Sequence, residues 1–141
     1  MNTEQRPAGR SGKKTGKQIL LVDYEKDFAD ALSIRLKSLG WSVRCADSPE
    51  EALASAGDVN PDLIIMDVIF SGKMDGYEAS RILKQDNSLR KTPLILLTVK
   101  ASEQDIEKGL GTGADCYFTK PLDSEKFFRQ VKLFLGEANG S

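Results

Sequence analysis

Short unbroken apolar runs alternate along this chain with longer stretches in which apolar residues recur every three or four positions. Gln18-Ile-Leu-Leu-Val22, closed by Asp23, is the first run and has the pattern of a strand buried on both faces. From about Asp27, residues Phe28, Ala31, Leu32, Ile34, Leu36 and Leu39 return at roughly helical spacing, and Gly40 follows as a natural cap. Trp41 to Cys45 reads as a second strand. Ser48-Pro-Glu-Glu51 then combines an N-cap, a first-turn proline and first-turn acids, opening a helix to about Ala56. Leu63 to Met66 is a third strand, Glu78 to Lys84 a helix, and Leu94 to Leu97 a fourth strand. Ser102 caps a helix to Leu110, Cys116 to Phe118 is a short fifth strand, and Asp123 caps a last helix carrying Phe127, Phe128, Val131, Phe134 and Leu135.

Strands that alternate with helices at this spacing form a parallel sheet covered on both faces, because right-handed crossovers distribute the helices around it. The expected fold class is therefore α/β, a doubly wound five-stranded parallel sheet. In such sheets the functional crevice lies at the carboxyl ends of the strands, beside the point where strand order reverses. The residues at those ends are Asp23, Tyr24, Glu25, Asp67, Thr98 and Lys120.

Composition narrows the chemistry. A length of 141 residues with 40% hydrophobic content suits one domain with an ordinary core. Arg6, Arg10, Lys13, Lys14 and Lys17 oppose Glu4 alone in the first 17 residues, so +4 there within a total of −1 leaves −5 on the remainder. An acidic body argues against direct nucleic-acid binding through a broad positive face, and residues 1–16 read as a flexible basic tail. No apolar segment resembles a signal-peptide core, and the longest apolar run, Leu63 to Phe70, is broken by Asp67, so a cytoplasmic protein without a membrane partner is expected. Cys45 and Cys116 stand in apolar contexts without metal-ligand spacing and read as buried thiols. There is no histidine, which removes Ser-His and Cys-His nucleophile pairs and imidazole acid-base chemistry and leaves carboxylates, Lys, Thr and Tyr.

Asp67 is the sharpest candidate, since it drops a carboxylate into the apolar strand Pro61-Asp-Leu-Ile-Ile-Met-Asp-Val-Ile-Phe70. A carboxylate there costs several kcal/mol unless a cation or metal pairs with it. Lys120, before Pro121, supplies such a cation if the fifth strand ends beside the third. Asp23 and Thr98 gain meaning only by converging on the same edge; alone, Thr98 is a β-favouring residue and Asp67 a loop cap.

Together these residues resemble the response-regulator receiver family over residues 17–138, with 139–141 left as a C-terminal tail. The resemblance rests on Ile19-Leu-Leu-Val-Asp23, Pro61-Asp-Leu-Ile-Ile-Met-Asp67, Met74-Asp-Gly76, Leu96-Leu-Thr98-Val-Lys-Ala101 and Gly113-Ala-Asp-Cys-Tyr117-Phe-Thr-Lys120-Pro121. It implies a flavodoxin-like receiver fold with strand order 2-1-3-4-5, and a non-enzymatic bacterial phosphorelay module. By the same resemblance Asp67 is the phosphoacceptor for a histidine kinase or phosphotransfer protein, Thr98 and Lys120 contact the phosphoryl group, and Tyr117 is the switch residue. Magnesium (Mg2+) would be held by Asp23, Asp67 and the backbone carbonyl of Ile69, and a downstream protein would be met by the fourth helix, fifth strand and fifth helix.

Two departures bear on that expectation. The family usually carries two adjacent acids after the first strand, and the second position here is Tyr24, a neutral phenol that is a poor magnesium ligand. Weak metal binding is therefore expected unless Glu25 reaches inward to take over. The segment Phe70-Ser-Gly-Lys-Met74 is one residue longer than the usual loop and lacks its proline. Tyr24 keeps open a second reading, a phosphorylation-independent pseudo-receiver that works as an interaction module. A flavodoxin-like cofactor binder would need a Ser, Thr and Gly-rich loop where Asp23-Tyr-Glu25 stands, and an aspartate-dependent phosphatase fits the Asp67 context poorly.

Overall fold

The computed structural model describes residues 16–136, so the two tails, Gly16 apart, lie outside the described residues. The strands are β1 (Gln18–Val22), β2 (Ser42–Ala46), β3 (Leu63–Met66), β4 (Leu94–Thr98) and β5 (Cys116–Thr119). They form one parallel sheet in the order β2-β1-β3-β4-β5. The helices are α1 (Lys26–Ser38), α2 (Pro49–Val59), α3 (Gly76–Gln85), α4 (Glu103–Leu110) and α5 (Ser124–Leu135).

Alternation along the central strands divides the core in two. Ile19, Leu21, Leu63, Ile65, Ile95 and Leu97 point to one face, where Leu32 and Leu36 of α1 and Phe127, Phe128, Val131 and Leu135 of α5 cover them. Leu20, Val22, Ile64, Met66, Leu94 and Leu96 point to the other, under Ala52 and Ala56 of α2 and Tyr77, Ala79 and Leu83 of α3. Each fully buried aliphatic side chain contributes about 1.5–3 kcal/mol, so this double layer is what makes the sheet rigid enough to position charged groups at its rim.

Caps fix where the helices begin. Ser48, Asp75, Ser102 and Asp123 each accept a hydrogen bond from a first-turn amide of α2, α3, α4 and α5 respectively, and Ser102 with Asp105 forms a reciprocal capping box. Helix α3 begins at Gly76, two residues before the Glu78 start that the apolar spacing predicts, because Asp75 caps it. Helix α2 continues past Ala56 to Val59, where Asn60 takes the left-handed conformation (φ 51°) and ends it.

Three expectations are corrected. Ala31 and Ile34 do not face the core: the buried stripe of α1 is Ala29, Leu32, Ser33 and Leu36, and Ile34 is 68% exposed. Trp41 precedes β2 rather than opening it, packing in the core beside α1 and α5. Cys45 is exposed and Cys116 only half-buried, so neither is a buried thiol. Cys45 lies on an edge strand, opposite the polar Ser33 of α1 instead of an aliphatic residue.

Candidate functional site

The strand order places the topological reversal between β1 and β3, because the chain leaves β1 for β2 on one side and returns to β3 on the other. Val22 is in register with Met66, so the next residues, Asp23 and Asp67, emerge side by side at the carboxyl edge. Thr98 is in register with Thr119, which brings Lys120 to the same edge one residue later. The amide of Lys120 donates to the Thr98 carbonyl at 2.8 Å, and the Lys120–Pro121 bond is cis.

Lys120 is the hub. Its ammonium donates to Asp23 Oδ2 at 2.9 Å, Glu25 Oε1 at 3.0 Å and Asp67 Oδ2 at 3.0 Å, and it lies 4.1 Å above the centre of the Phe28 ring. The other oxygen of Asp67 accepts the amides of Val68 (2.6 Å) and Ile69 (3.1 Å), so the carboxylate is clamped in one orientation. Asp23 is held likewise, its Oδ1 accepting the Glu25 amide at 2.9 Å. The side chains of Asp23, Asp67 and Lys120 are all buried, whereas that of Glu25 is half exposed.

The electrostatics follow from that burial. Loss of water pushes the Asp23 carboxyl above the ordinary carboxylate range, although Lys120 and the Glu25 amide pull it back down. Burial alone would lower the Lys120 ammonium, but the hydrogen bonds it donates to Asp23, Glu25 and Asp67 outweigh that and lift the group above the usual lysine range. Lys120 is therefore a permanent cation at any physiological pH. The carboxylate oxygens of Asp23, Glu25 and Asp67 lie within 4.8 Å of one another, a hard oxygen donor set suited to magnesium or another small divalent cation.

Each residue singled out in the sequence has a definite place. Thr98 is fully buried at the rim, and its hydroxyl oxygen accepts the Lys100 amide at 3.4 Å. Ile69 sits in the turn that clamps Asp67. Tyr24 is 52% exposed, with its ring 6.2 Å from that of Phe70. Tyr117 lies half-buried beside α4, its hydroxyl donating to the Lys100 carbonyl at 2.9 Å. A Cβ at Gly109 would stand 2.6 Å from the Tyr117 ring, so this helix position must stay small.

Two further residues have roles at the site that the sequence alone does not assign, although Gly76 belongs to a motif that carries the resemblance. Tyr77 carries a hydroxyl 3.3 Å from that of Tyr117 and donates to the Asp105 carbonyl at 3.1 Å, tying α3 to α4 behind the pocket. Burial lifts the Tyr117 phenol well above its usual range, with the Tyr77 hydroxyl adding to the effect. Gly76 is the other: a Cβ there would collide with the Asp67 carbonyl, so glycine lets α3 start against the strand end that carries Asp67.

The response regulator receiver domain family matches residues 19–132, nearly all of the described chain. This chain belongs to that family. The receiver domain of a signal transduction histidine kinase from Syntrophus aciditrophicus is 34% identical, with a TM-score of 0.78 over 84% of this chain and 89% of that one. The receiver domain of a Pseudomonas aeruginosa sensor histidine kinase, solved with a magnesium ion coordinated in its active site cleft, is 30% identical, with a TM-score of 0.77 over 86% of this chain and 98% of that one. A two-component response regulator from Clostridium difficile is 29% identical, with a TM-score of 0.78 over 84% and 95% of the two chains. This receiver domain is thus a module of two-component signalling, and no helix among its described residues is long and apolar enough to cross a membrane.

Proposed function

We propose that this receiver domain accepts a phosphoryl group on Asp67 from a phosphohistidine of a histidine kinase or phosphotransfer protein and thereby switches its binding to a downstream protein. The observation that carries this is the clamped, buried Asp67 carboxylate 3.0 Å from the Lys120 ammonium. One carboxylate oxygen attacks phosphorus, the P–N bond breaks, and its electron pair leaves with the imidazole, which takes up a proton. The amides of Val68 and Ile69 hold the carboxylate against rotation during the attack. Lys120 offers its charge to one transferred oxygen and the Thr98 hydroxyl donates to another. The donor set of Asp23 and Asp67, with the Ile69 carbonyl by family resemblance, fits a magnesium ion, which when bound neutralises charge on the transferring oxygens.

Switching runs through the residues behind the site. A hydrogen bond drawn from Thr98 toward the phosphoryl group shifts the loop after β4, and Tyr117 is tied to that loop through the Lys100 carbonyl. The surface of α4, β5 and α5 then presents the change to a protein partner; nucleic acid and membrane are not the targets of this reading, and a bacterial cytoplasm is its setting. The pseudo-receiver reading draws on Tyr24, the neutral residue where the family carries a second acid. Backbone amide NMR with and without beryllofluoride and magnesium separates the two. Shifts concentrated on α4, β5 and α5 are expected; shifts absent, or confined to α2, would favour a module that does not switch.

A further inference from the structure

We infer that Glu25 occupies the place in the cation site that Tyr24 leaves without an acid, so that the divalent ion of this receiver domain is held by a carboxylate one residue further along the chain than is usual. The inference rests on the receiver reading of the site and adds to it a residue that the family's acid pair does not contain.

The local backbone explains the exchange. Asp23 Oδ1 accepts the amide of Glu25 at 2.9 Å, a tight side-chain turn immediately after β1. Tyr24, at the middle of that turn, is half exposed with its ring against that of Phe70, while the Glu25 carboxylate reaches Lys120 at 3.0 Å. Glu25 is also the N-cap residue of α1, and its side chain makes no capping hydrogen bond to that helix. Its carboxylate is committed to the pocket instead.

Charge counting points the same way. One ammonium faces three carboxylates, which leaves two negative charges uncompensated, the charge of one divalent ion. With Glu25 left out of the count, Lys120 would cancel half the charge of Asp23 and Asp67, and the pocket would hold one negative charge only. The donor oxygens already lie within 4.8 Å of one another, held together by the lysine, so a small hard cation meets a nearly assembled set. The Pseudomonas aeruginosa relative is independent evidence that a cleft of this fold takes magnesium.

The test is a calorimetric magnesium titration of the full chain, paired with manganese titration read by electron paramagnetic resonance. Glu25→Gln should weaken both ions about tenfold, since affinity at such sites follows the number of charged ligands. Moving the acid back, in Tyr24→Asp/Glu25→Gln, should restore most of the loss. Glu25 is half exposed, so the variants should melt with the wild type in chelator, which separates ligand loss from unfolding. Glu25→Gln binding within twofold of wild type would overturn the inference, as would a double variant no tighter than Glu25→Gln. If Glu25→Gln is silent while Asp67→Asn abolishes binding, the receiver reading stands and only the role of Glu25 falls. A wild type that binds no magnesium and gains no phosphoryl group from acetyl phosphate would defeat both.

Discussion

Lys84 holds a carboxylate at one end of the sheet and Lys120 holds three at the other, at nearly the same distances, and we propose a functional site only at Lys120. At the amino ends of β4 and β5, Lys84 donates to Asp115 Oδ2 at 3.0 Å and to the Thr92 carbonyl at 2.8 Å, and the same Asp115 oxygen accepts the Leu94 amide at 2.8 Å. One cation meets one anion, and every bond made there ties β4, β5 and α3 together. At the carboxyl ends Lys120 meets three anions at 2.9–3.0 Å, two of them buried. The lesson is that bond length does not separate a structural ion pair from a binding site; the surplus of charge does, because a buried surplus costs stability that only a ligand can recover.

The largest effect should come from removing the two lysines in turn. Lys120→Met strands buried carboxylates and should cost about 3 kcal/mol in urea unfolding without magnesium, with part of that recovered as magnesium is added. Lys84→Met, in a partly exposed balanced pair, should cost about 1 kcal/mol and show no magnesium dependence. Equal costs, or equal magnesium responses, would break the comparison.

Removing acids should give opposite signs at the two ends. Asp115→Asn should destabilise by about 1 kcal/mol through its amide and ammonium partners. Asp23→Asn should stabilise the metal-free protein at neutral pH, because burial holds the Asp23 carboxyl above its ordinary value of 3.8. A carboxyl raised in the folded state stabilises the fold below its unfolded pKa and loses that contribution as pH rises through its folded one. The gain from Asp23→Asn must therefore be present at pH 7 and vanish below about pH 4, as thermal melts across that range would report.

The smallest effect concerns the thiols. Partial loss of water around the sulfur pushes both the exposed Cys45 and the half-buried Cys116 above the usual thiol range, and the Asp115 charge adds to it at Cys116. Alkylation of both should lag behind glutathione at pH 7, and Asp115→Asn should slightly hasten Cys116 alone. Because β2 and β5 are opposite edges, roughly 19 Å apart at ~4.8 Å per strand, a non-reducing mass spectrum of monomer should show no disulfide.

How much of this was readable in the chain depends on the range of the interaction. Asp67 stood out because a carboxylate in an apolar strand violates a local rule, and the alternation of five strands with five helices is written in local periodicity. Strand order came from family resemblance, since neighbours such as β1 and β3 are set by packing between distant segments. Tyr77 was missed because its partner Tyr117 is 40 residues away, and the Lys84–Asp115 pair because it spans 31. Cys45 was misread from its apolar neighbours, which say nothing of what an edge strand faces across the sheet. Glu25 was left open, since the inward direction of its side chain follows from a turn made by Asp23, not from its own type.

The central claim is that Asp67 takes the phosphoryl group, and intact-mass spectrometry after incubation with acetyl phosphate and magnesium tests it most directly. The account predicts that the wild type gains the mass of one phosphoryl group, that chelating the magnesium abolishes the gain, and that Asp67→Asn gains none. An Asp67→Asn protein that still takes up a phosphoryl group, or a wild type that remains unmodified at saturating magnesium, would contradict it.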